Sequence, residues 1–273
     1  MKGVILAGGH GTRLLPLTKV ISKQLLPIFD KPLIYYPITT LILAGIQDIL
    51  IITTPNDREL FEKAIGDGSQ WGIRISFATQ SEAKGIPNGL LLAEEFVGND
   101  RFFFILGDNL FYGTGLGRSL ASIATAESTG GPNEIQNSYG CDIFTYTVKD
   151  PENFGIVTLD DNLEVISLDE KPANSTSNNA IVGMYIFDNL AFEYTKTLQP
   201  SSRGELEIVD LISKYLNTKK LNIHPLGRGT AWLDTGTFSN MHDASTFIRI
   251  IQERQGVKIG DPLEAAQVQG WIN

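Results

Sequence analysis

Short apolar runs alternate with segments of helical spacing along the first 110 residues. Residues 4–6 predict a buried strand, and residues 48–54, 73–79 and 101–106 predict three more. Between them, residues 33–45 place Ile34, Ile38, Leu41, Ile42 and Ala44 at helical intervals. Residues 56–65 read as a helix after Pro55, and residues 90–96 as part of a helix that Pro87 can start. Strands alternating with helices predict βαβ units and a mostly parallel sheet with helices on both faces. The second half is less regular. Residues 141–148 and 180–187 read as strands, and residues 156–159 and 165–168 flank Asp160-Asp161-Asn162, a hairpin signal. Residues 205–216 predict a helix with Leu206, Val209, Leu211, Ile212 and Leu216 on its apolar face. Residues 238–255 predict another, stopped by Gly256. The Ser-, Gly-, Pro-, Asn- and Gln-rich stretch at 127–140 reads as an exposed loop.

Composition narrows the class. The chain has 273 residues, 42% of them hydrophobic, enough for a large core. A net charge of -9 argues against a nucleic-acid binder and confines any phosphate site to a local basic patch. No apolar stretch reaches the roughly 18–20 residues of a membrane span. No basic segment precedes an apolar one at the N-terminus, so no signal peptide is expected and the expected location is cytoplasmic. Cys141 is the only cysteine, which excludes an intrachain disulfide and a cysteine metal site.

Five places carry candidate chemistry. The predicted strand at 4–6 runs into Gly8-Gly9-His10-Gly11-Thr12-Arg13, with Lys23 ten residues later. Glycines let backbone N–H groups crowd around phosphate oxygens, and Arg13 and Lys23 supply positive charge. The P-loop pattern is absent, and the dinucleotide pattern fails because its last position is Leu14. Asp108, at the mouth of the 101–106 strand, and Asp234, after Trp232-Leu233, are either Mg²⁺ ligands or helix caps. In parallel sheets ligands bind at the carboxyl ends of strands, so the Gly8–Arg13 loop and Asp108 are expected to face one crevice. Lys171, held before Pro172, and Arg203, before a predicted helix, each read singly as a solvated surface residue. His10, His224 and His242 have no metal-ligand spacing and read as structural, and the nucleophile elbow of a serine hydrolase is missing.

Together these motifs resemble the signature of the sugar-1-phosphate nucleotidyltransferases: Gly8-Gly9, Gly11-Thr12-Arg13-Leu14, Lys23 and Pro27. Segments 22–27, 31–37, 66–72, 106–109, 170–172, 203–208 and 232–237 are similar to its thymidylyl branch, in order over about residues 1–260. The resemblance implies a Rossmann-like nucleotidyltransferase fold with an inserted sugar-binding part. As one domain over 1–273, it would comprise a nucleotide-binding core at 1–110, a mainly sugar-binding part at 111–237 and a helical region at 238–273. It implies transfer of a thymidylyl group from dTTP to glucose 1-phosphate, giving dTDP-glucose and pyrophosphate, with Mg²⁺. The product would feed deoxysugar synthesis for cell-surface polysaccharide. It also implies a homo-oligomer, a tetramer.

The same resemblance distributes roles. Gly8, Gly11, Thr12, Arg13, Gln24, Gln80 and Gly85 would hold the nucleotide, with Arg13 on the phosphates and Gln80 and Gly85 at the base. Lys23 would sit near the α-phosphate. Asp108 and Asp234 would bind the metal; with Arg13 and Lys23 they form the expected catalytic set. Gly155, Glu170, Val182, Gly183 and Tyr185 would contact the sugar, and Lys171 and Arg203 its phosphate. Two alternatives stand beside this reading: the same chemistry with UTP or another sugar phosphate, and a non-catalytic nucleotide-sugar sensor. The segment Gly85-Ile86-Pro87-Asn88-Gly89 departs from the family's usual Gly-Leu-Ala-Gln-Ala, and that is where base or sugar preference would change.

Overall fold

The structure is a computed structural model that describes residues 1–9, 11–82, 84–125, 140–162 and 164–273. The loop expected at 127–140 and His10 therefore lie outside the described residues, Gly140 excepted. The strands are β1 (Lys2–Ala7), β2 (Pro27–Ile28), β3 (Lys31–Pro32), β4 (Asp48–Thr53), β5 (Arg74–Thr79), β6 (Phe102–Leu106) and β7 (Asn109–Tyr112). They continue with β8 (Cys141–Thr147), β9 (Gly155–Leu159), β10 (Val165–Glu170), β11 (Asn179–Phe187), β12 (Leu221–Pro225) and β13 (Ala231–Asp234). The helices are α1 (Tyr35–Leu43), α2 (Arg58–Ile65), α3 (Ile86–Leu91), α4 (Glu94–Val97) and α5 (Leu116–Thr125). After them come α6 (Leu190–Lys196), α7 (Ile208–Asn217), α8 (Phe238–Gln255) and α9 (Pro262–Val268). None of these helices is long and apolar enough to cross a membrane.

The chain forms two compact units: Met1–Ala83 with Phe103–Thr125 and Gly229–Asn273, and Lys84–Phe102 with Ala126–Arg228. In the first, β6, β1, β4 and β5 lie side by side in that order. The pairs β1–β4 and β4–β5 are parallel, with Ile5 opposite Ile51 and Ile51 opposite Phe77. Val4, Ile5, Ile49, Ile51, Phe103 and Ile105 are fully buried. Strands covered on both faces read as continuous apolar runs, which is the pattern these segments show. This is the α/β arrangement that the alternation of strands and helices predicts.

In the second unit β11 pairs antiparallel with both β8 and β9, and β9 and β10 form the expected hairpin. The strand β12 joins β8 in parallel. The Phe102 ring stacks on Phe192 of α6, centroids 5.3 Å apart.

Several predicted boundaries move, each for a local reason. The helix expected over 90–96 divides into α3 and α4. The N–H groups of Leu92 and Ala93 bond back three residues, to Gly89 and Leu90, and that tightening ends α3. The helix expected from 205 begins at Ile208, because Leu206 N donates to Lys84 O and Glu205 O accepts from Ser201 N. Leu33 and Ile34 likewise donate to Leu26 and Gln24, so α1 starts at Tyr35. The last long helix, α8, runs as predicted from Phe238 to Gln255. Thr237 caps it by accepting from Asn240 N, and Gly256 closes it at φ 67°. The ribbon β7–β13, the strand β12 and the helices α5, α6 and α9 carry no pattern strong enough to have been predicted.

Candidate active site

In the first unit, the chain leaves β1 through Gly8 and Gly9. A Cβ on Gly8 would meet Gln80 Oε1 at 2.8 Å, so the glycine lets the buried Gln80 amide lie close against this loop. Gly11 sits at φ 57°, and a Cβ there would meet Thr18 Cγ2 at 2.8 Å. Thr18 Oγ1 donates to Gly11 O at 2.8 Å and pins the turn from which Thr12 and Arg13 project. Lys23 follows in a single helical turn, 6% exposed, and its Nζ lies 2.8 Å from Asp108 Oδ2.

Asp108 is placed by the end of β6. Gly107 N donates to Leu6 O at 2.9 Å, drawing the β6 exit onto the end of β1. The β7–β13 ribbon then brings in residues from far along the chain: Asn109 faces Asp234, and Leu110 faces Leu233. Thr235 Oγ1 donates to Asp108 O at 2.9 Å. Trp232 Nε1 donates to Asn109 Oδ1 at 2.6 Å, and Asn109 Nδ2 donates to Asp108 Oδ1 at 2.8 Å. The indole thus orients the amide and the amide orients the carboxylate. Arg13 reaches the same place: a Cβ on Gly236 would sit 3.4 Å from its Nη1 and 3.0 Å from Asp234 Oδ2.

These residues line one cleft of about 590 Å³, formed by Gly9, Gly11, Thr12, Arg13, Lys23, Gln24, Asp108, Asp234 and Gly236. The expected shared crevice of the glycine loop and Asp108 is therefore present. Asp108 and Asp234 cap no helix. Sequence reasoning passed over two contributors, Asn109 and Thr235. Their signal was present, since each follows an aspartate at the end of an apolar run. A separate, more apolar cavity lined by Tyr36, Phe111, Tyr112 and Ile259 among others contains none of the predicted site residues.

The two carboxylates differ electrostatically. Burial acts to raise the Asp108 carboxyl, but the Lys23 ammonium and the Asn109 amide outweigh it and hold it below the usual carboxylate range. Asp234 is raised, first by burial and then by the charge of Asp108; Lys23 and Arg13 offset only part of this. Asp234 is thus a carboxylate short of positive charge.

The second unit gathers another set. The β9–β10 register places Gly155 opposite Glu170. Lys171 follows at φ 46°, a left-handed conformation that is costly for a side-chain-bearing residue and concentrates at functional sites. Lys171 Nζ and Arg203 Nη2 lie 2.8 Å and 3.1 Å from the same oxygen, Glu170 Oε1. So Gly155, Glu170, Lys171 and Arg203 come together, and neither cation is the isolated surface residue that its local sequence predicts. Val182, Gly183 and Tyr185 lie on β11, where the register against β8 shifts between Ile181 and Tyr185. Val182 and Tyr185 are buried, and the Tyr185 ring stacks on Phe187. His224 is structural as expected, with Nε2 2.8 Å from Asp142 Oδ1.

Gly85 has a packing explanation of its own. It pairs with Leu206 at φ 99°, and a Cβ there would overlap the Leu206 backbone. Gly85→Ala is expected to lower unfolding stability by about 1–3 kcal/mol, read from urea unfolding. An unchanged midpoint would leave the close approach without consequence.

A glycine turn, a buried lysine and two aspartates from distant parts of the chain thus line one cleft. Residues 2–250 match the nucleotidyl transferase family. The chain belongs to that family. This nucleotidyl transferase is 46% identical over 273 residues to the glucose-1-phosphate thymidylyltransferase of Neisseria meningitidis serogroup A, covering all of this chain and 91% of that protein. It is 47% identical over 272 residues to the enzyme of the same name from Xanthomonas campestris pv. campestris, covering 88% of that protein. A Bacillus anthracis protein, provisionally given this name and crystallised with a sucrose, superposes with a TM-score of 0.80. It is 36% identical, over 91% of this nucleotidyl transferase and 95% of that chain. A UDP-glucose pyrophosphorylase solved with UDP-glucose gives 0.77 at 26% identity, over 92% and 98%.

Proposed function

We propose that the chain transfers a thymidylyl group from dTTP to glucose 1-phosphate, releasing pyrophosphate and forming dTDP-glucose. The observation that carries the reading is the Arg13, Lys23, Asp108 and Asp234 cluster around one cleft, in a chain 46% identical over its full length to a protein of that name. A phosphate oxygen of the sugar phosphate attacks the α-phosphorus of dTTP, and the bond to pyrophosphate breaks. The attacking phosphate is already ionised at neutral pH, so no general base is required. The obstacle is repulsion between two polyanions. Arg13 and Lys23 offset the charge of the triphosphate, and Lys171 and Arg203 that of the sugar phosphate. Gly8, Gly11 and Thr12 cradle phosphates, Gln24 lines the nucleotide's path, and Gln80 and Gly85 stand at the base. Glu170, with Gly155 and the Val182–Gly183–Tyr185 stretch, faces the sugar.

The residues fit a Mg²⁺ ion. Two carboxylates are what Mg²⁺ takes from a protein when phosphate oxygens and water complete its shell. Asp234, raised by burial and by Asp108, lacks the countercharge that a divalent cation provides. Among the described residues no group of three or more acidic, His or Cys side chains competes for a metal. When bound by Asp108 and Asp234, the ion would neutralise charge developing on the transferred phosphoryl group.

The test is pyrophosphate release with four nucleotides and several sugar 1-phosphates, with and without Mg²⁺. Activity with dTTP and glucose 1-phosphate that requires the metal is expected; release with no pair would favour a nucleotide-sugar sensor. Thymine and uracil differ by one methyl, which discriminates about 10–200-fold at most, so measurable UTP use is expected. Equal kcat/KM for UTP and dTTP would assign the enzyme to the uridylyl alternative. Tetrameric assembly belongs to the same reading and is read by light scattering.

A further inference from the structure

We propose that Glu207 is a positioning residue for the sugar phosphate: it holds the Arg203 guanidinium available to an incoming phosphate instead of letting it close fully onto Glu170. The assignment rests on the proposed function, in which Arg203 and Lys171 grip that phosphate.

Glu207 directly precedes α7, in the N-cap position, with extended backbone at φ -92° and ψ 139°. A residue there ordinarily turns its side chain to the first helical N–H groups. Glu207 makes no such bond. Its side chain, in a residue only 8% exposed, points the other way. Oε1 accepts from Ser201 Oγ at 2.6 Å and from Arg203 Nε at 3.3 Å, and Oε2 accepts from Arg203 Nη2 at 2.7 Å. Two bonds to one guanidinium fix its plane as well as its position. Arg203 itself is exposed, on a turn closed by Gly204 N to Ser201 O, and such a side chain would otherwise sample many rotamers.

The second partner of Arg203 shows what this restraint does. Glu170 Oε1 takes both Lys171 Nζ and Arg203 Nη2. One carboxylate therefore occupies both cations in the absence of a phosphate. Without Glu207, the Arg203 fork would be free to pair fully with Glu170. With Glu207 holding Nε and one Nη2 bond, the Glu170 contact is a single longer one, and Nη1 makes no hydrogen bond among the described residues. An arriving phosphate can displace Glu170 from both cations while Glu207 keeps the guanidinium aligned. The released Glu170 carboxylate is then an acceptor for sugar hydroxyls.

The experiment is steady-state pyrophosphate release by the full chain carrying Glu207→Gln, with melting temperatures recorded. The KM for glucose 1-phosphate is expected to rise about tenfold to a hundredfold, as for loss of a charged hydrogen bond, with the KM for dTTP unchanged. Added to Arg203→Ala, Glu207→Gln should have no further effect, because the two residues act as one unit. Ser201→Ala should move the same KM in the same direction by less. An equal rise in both KM values, a kcat loss with both KM values unchanged, or full additivity with Arg203→Ala would each overturn the assignment. If Glu207→Gln does not fold, Ser201→Ala decides: an unchanged KM for glucose 1-phosphate rejects it. If the wild-type chain turns over no sugar phosphate, the functional reading falls by itself. Titration with inorganic phosphate then reads this one: weaker binding by Glu207→Gln supports it, equal binding overturns it.

Discussion

Lys23→Ala is expected to lower kcat by on the order of 10²–10³, the loss typical of removing one preorganised charge-stabilising donor. Lys23 is 6% exposed, and its ammonium is fixed 2.8 Å from Asp108, so the charge needs no reorganisation when the reaction begins. Its loss also leaves the coupled Asp108 and Asp234 carboxylates with Arg13 as the remaining cation among the described residues. The variant should therefore melt lower than the wild type at neutral pH. The sign follows from the depressed Asp108 carboxyl. A lowered folded-state value contributes stability above the unfolded carboxylate range, and that stability is lost as pH falls through the folded value. The gap in melting temperature between wild type and variant should then narrow in acid. Single-turnover rates and melting curves from neutral to acid pH check both parts; a near-normal rate would remove Lys23 from the reaction.

Asp234→Asn is expected to act in opposite directions on activity and stability. Loss of the carboxylate proposed to hold the metal should reduce kcat by at least about 10²-fold. The same change should raise the melting temperature of the metal-free protein. Burial, with Asp108 next, pushes the Asp234 carboxyl up. A raised value means stability that is complete below the unfolded carboxylate range and declines as pH rises through the folded value. Above the folded value the wild type therefore carries a buried charge that the neutral isostere lacks. Added Mg²⁺ should raise the wild-type melting temperature and leave the variant's nearly unchanged. A metal-free variant that melts below the wild type at neutral pH would show that the carboxylate is satisfied without the metal. Such opposition is the general signature of a site whose charges serve a ligand absent from the free protein.

Pattern alone was enough for the regular parts of the molecule. Short continuous apolar runs, too short for a helix and rich in β-branched and aromatic residues, fit buried strands, so β1, β4 and β6 were legible, and the glycine turn after β1 was legible as a place where backbone donors are exposed. The helix α8 was readable to the residue, because Thr237 and Gly256 are local caps that need nothing from elsewhere. The segment at 90–96 and the start of α7 were not readable in this way. Their ends are set by backbone bonds to Gly89, Leu90, Lys84 and Ser201, of which the one from Leu206 to Lys84 links residues distant in sequence.

The sequence by itself determined which chemistries were available: Arg13, Lys23, Lys171 and Arg203 as the cations, Asp108 and Asp234 as the carboxylates, and no nucleophile or metal-binding histidine cluster. Only the tertiary structure decided how they are shared out. Asp108 and Asp234 stand 126 positions apart, and it is the β7–β13 ladder, with Asn109 facing Asp234, that makes them neighbours. Trp232 on the same ladder donates to Asn109 and orients it. Lys171 and Arg203, each a plain surface residue in its local sequence, meet on one oxygen of Glu170. The physical reason is the same each time. Charge–charge coupling depends on separation in space and on burial, and both are fixed by strand pairing between segments that carry no local mark of their partner.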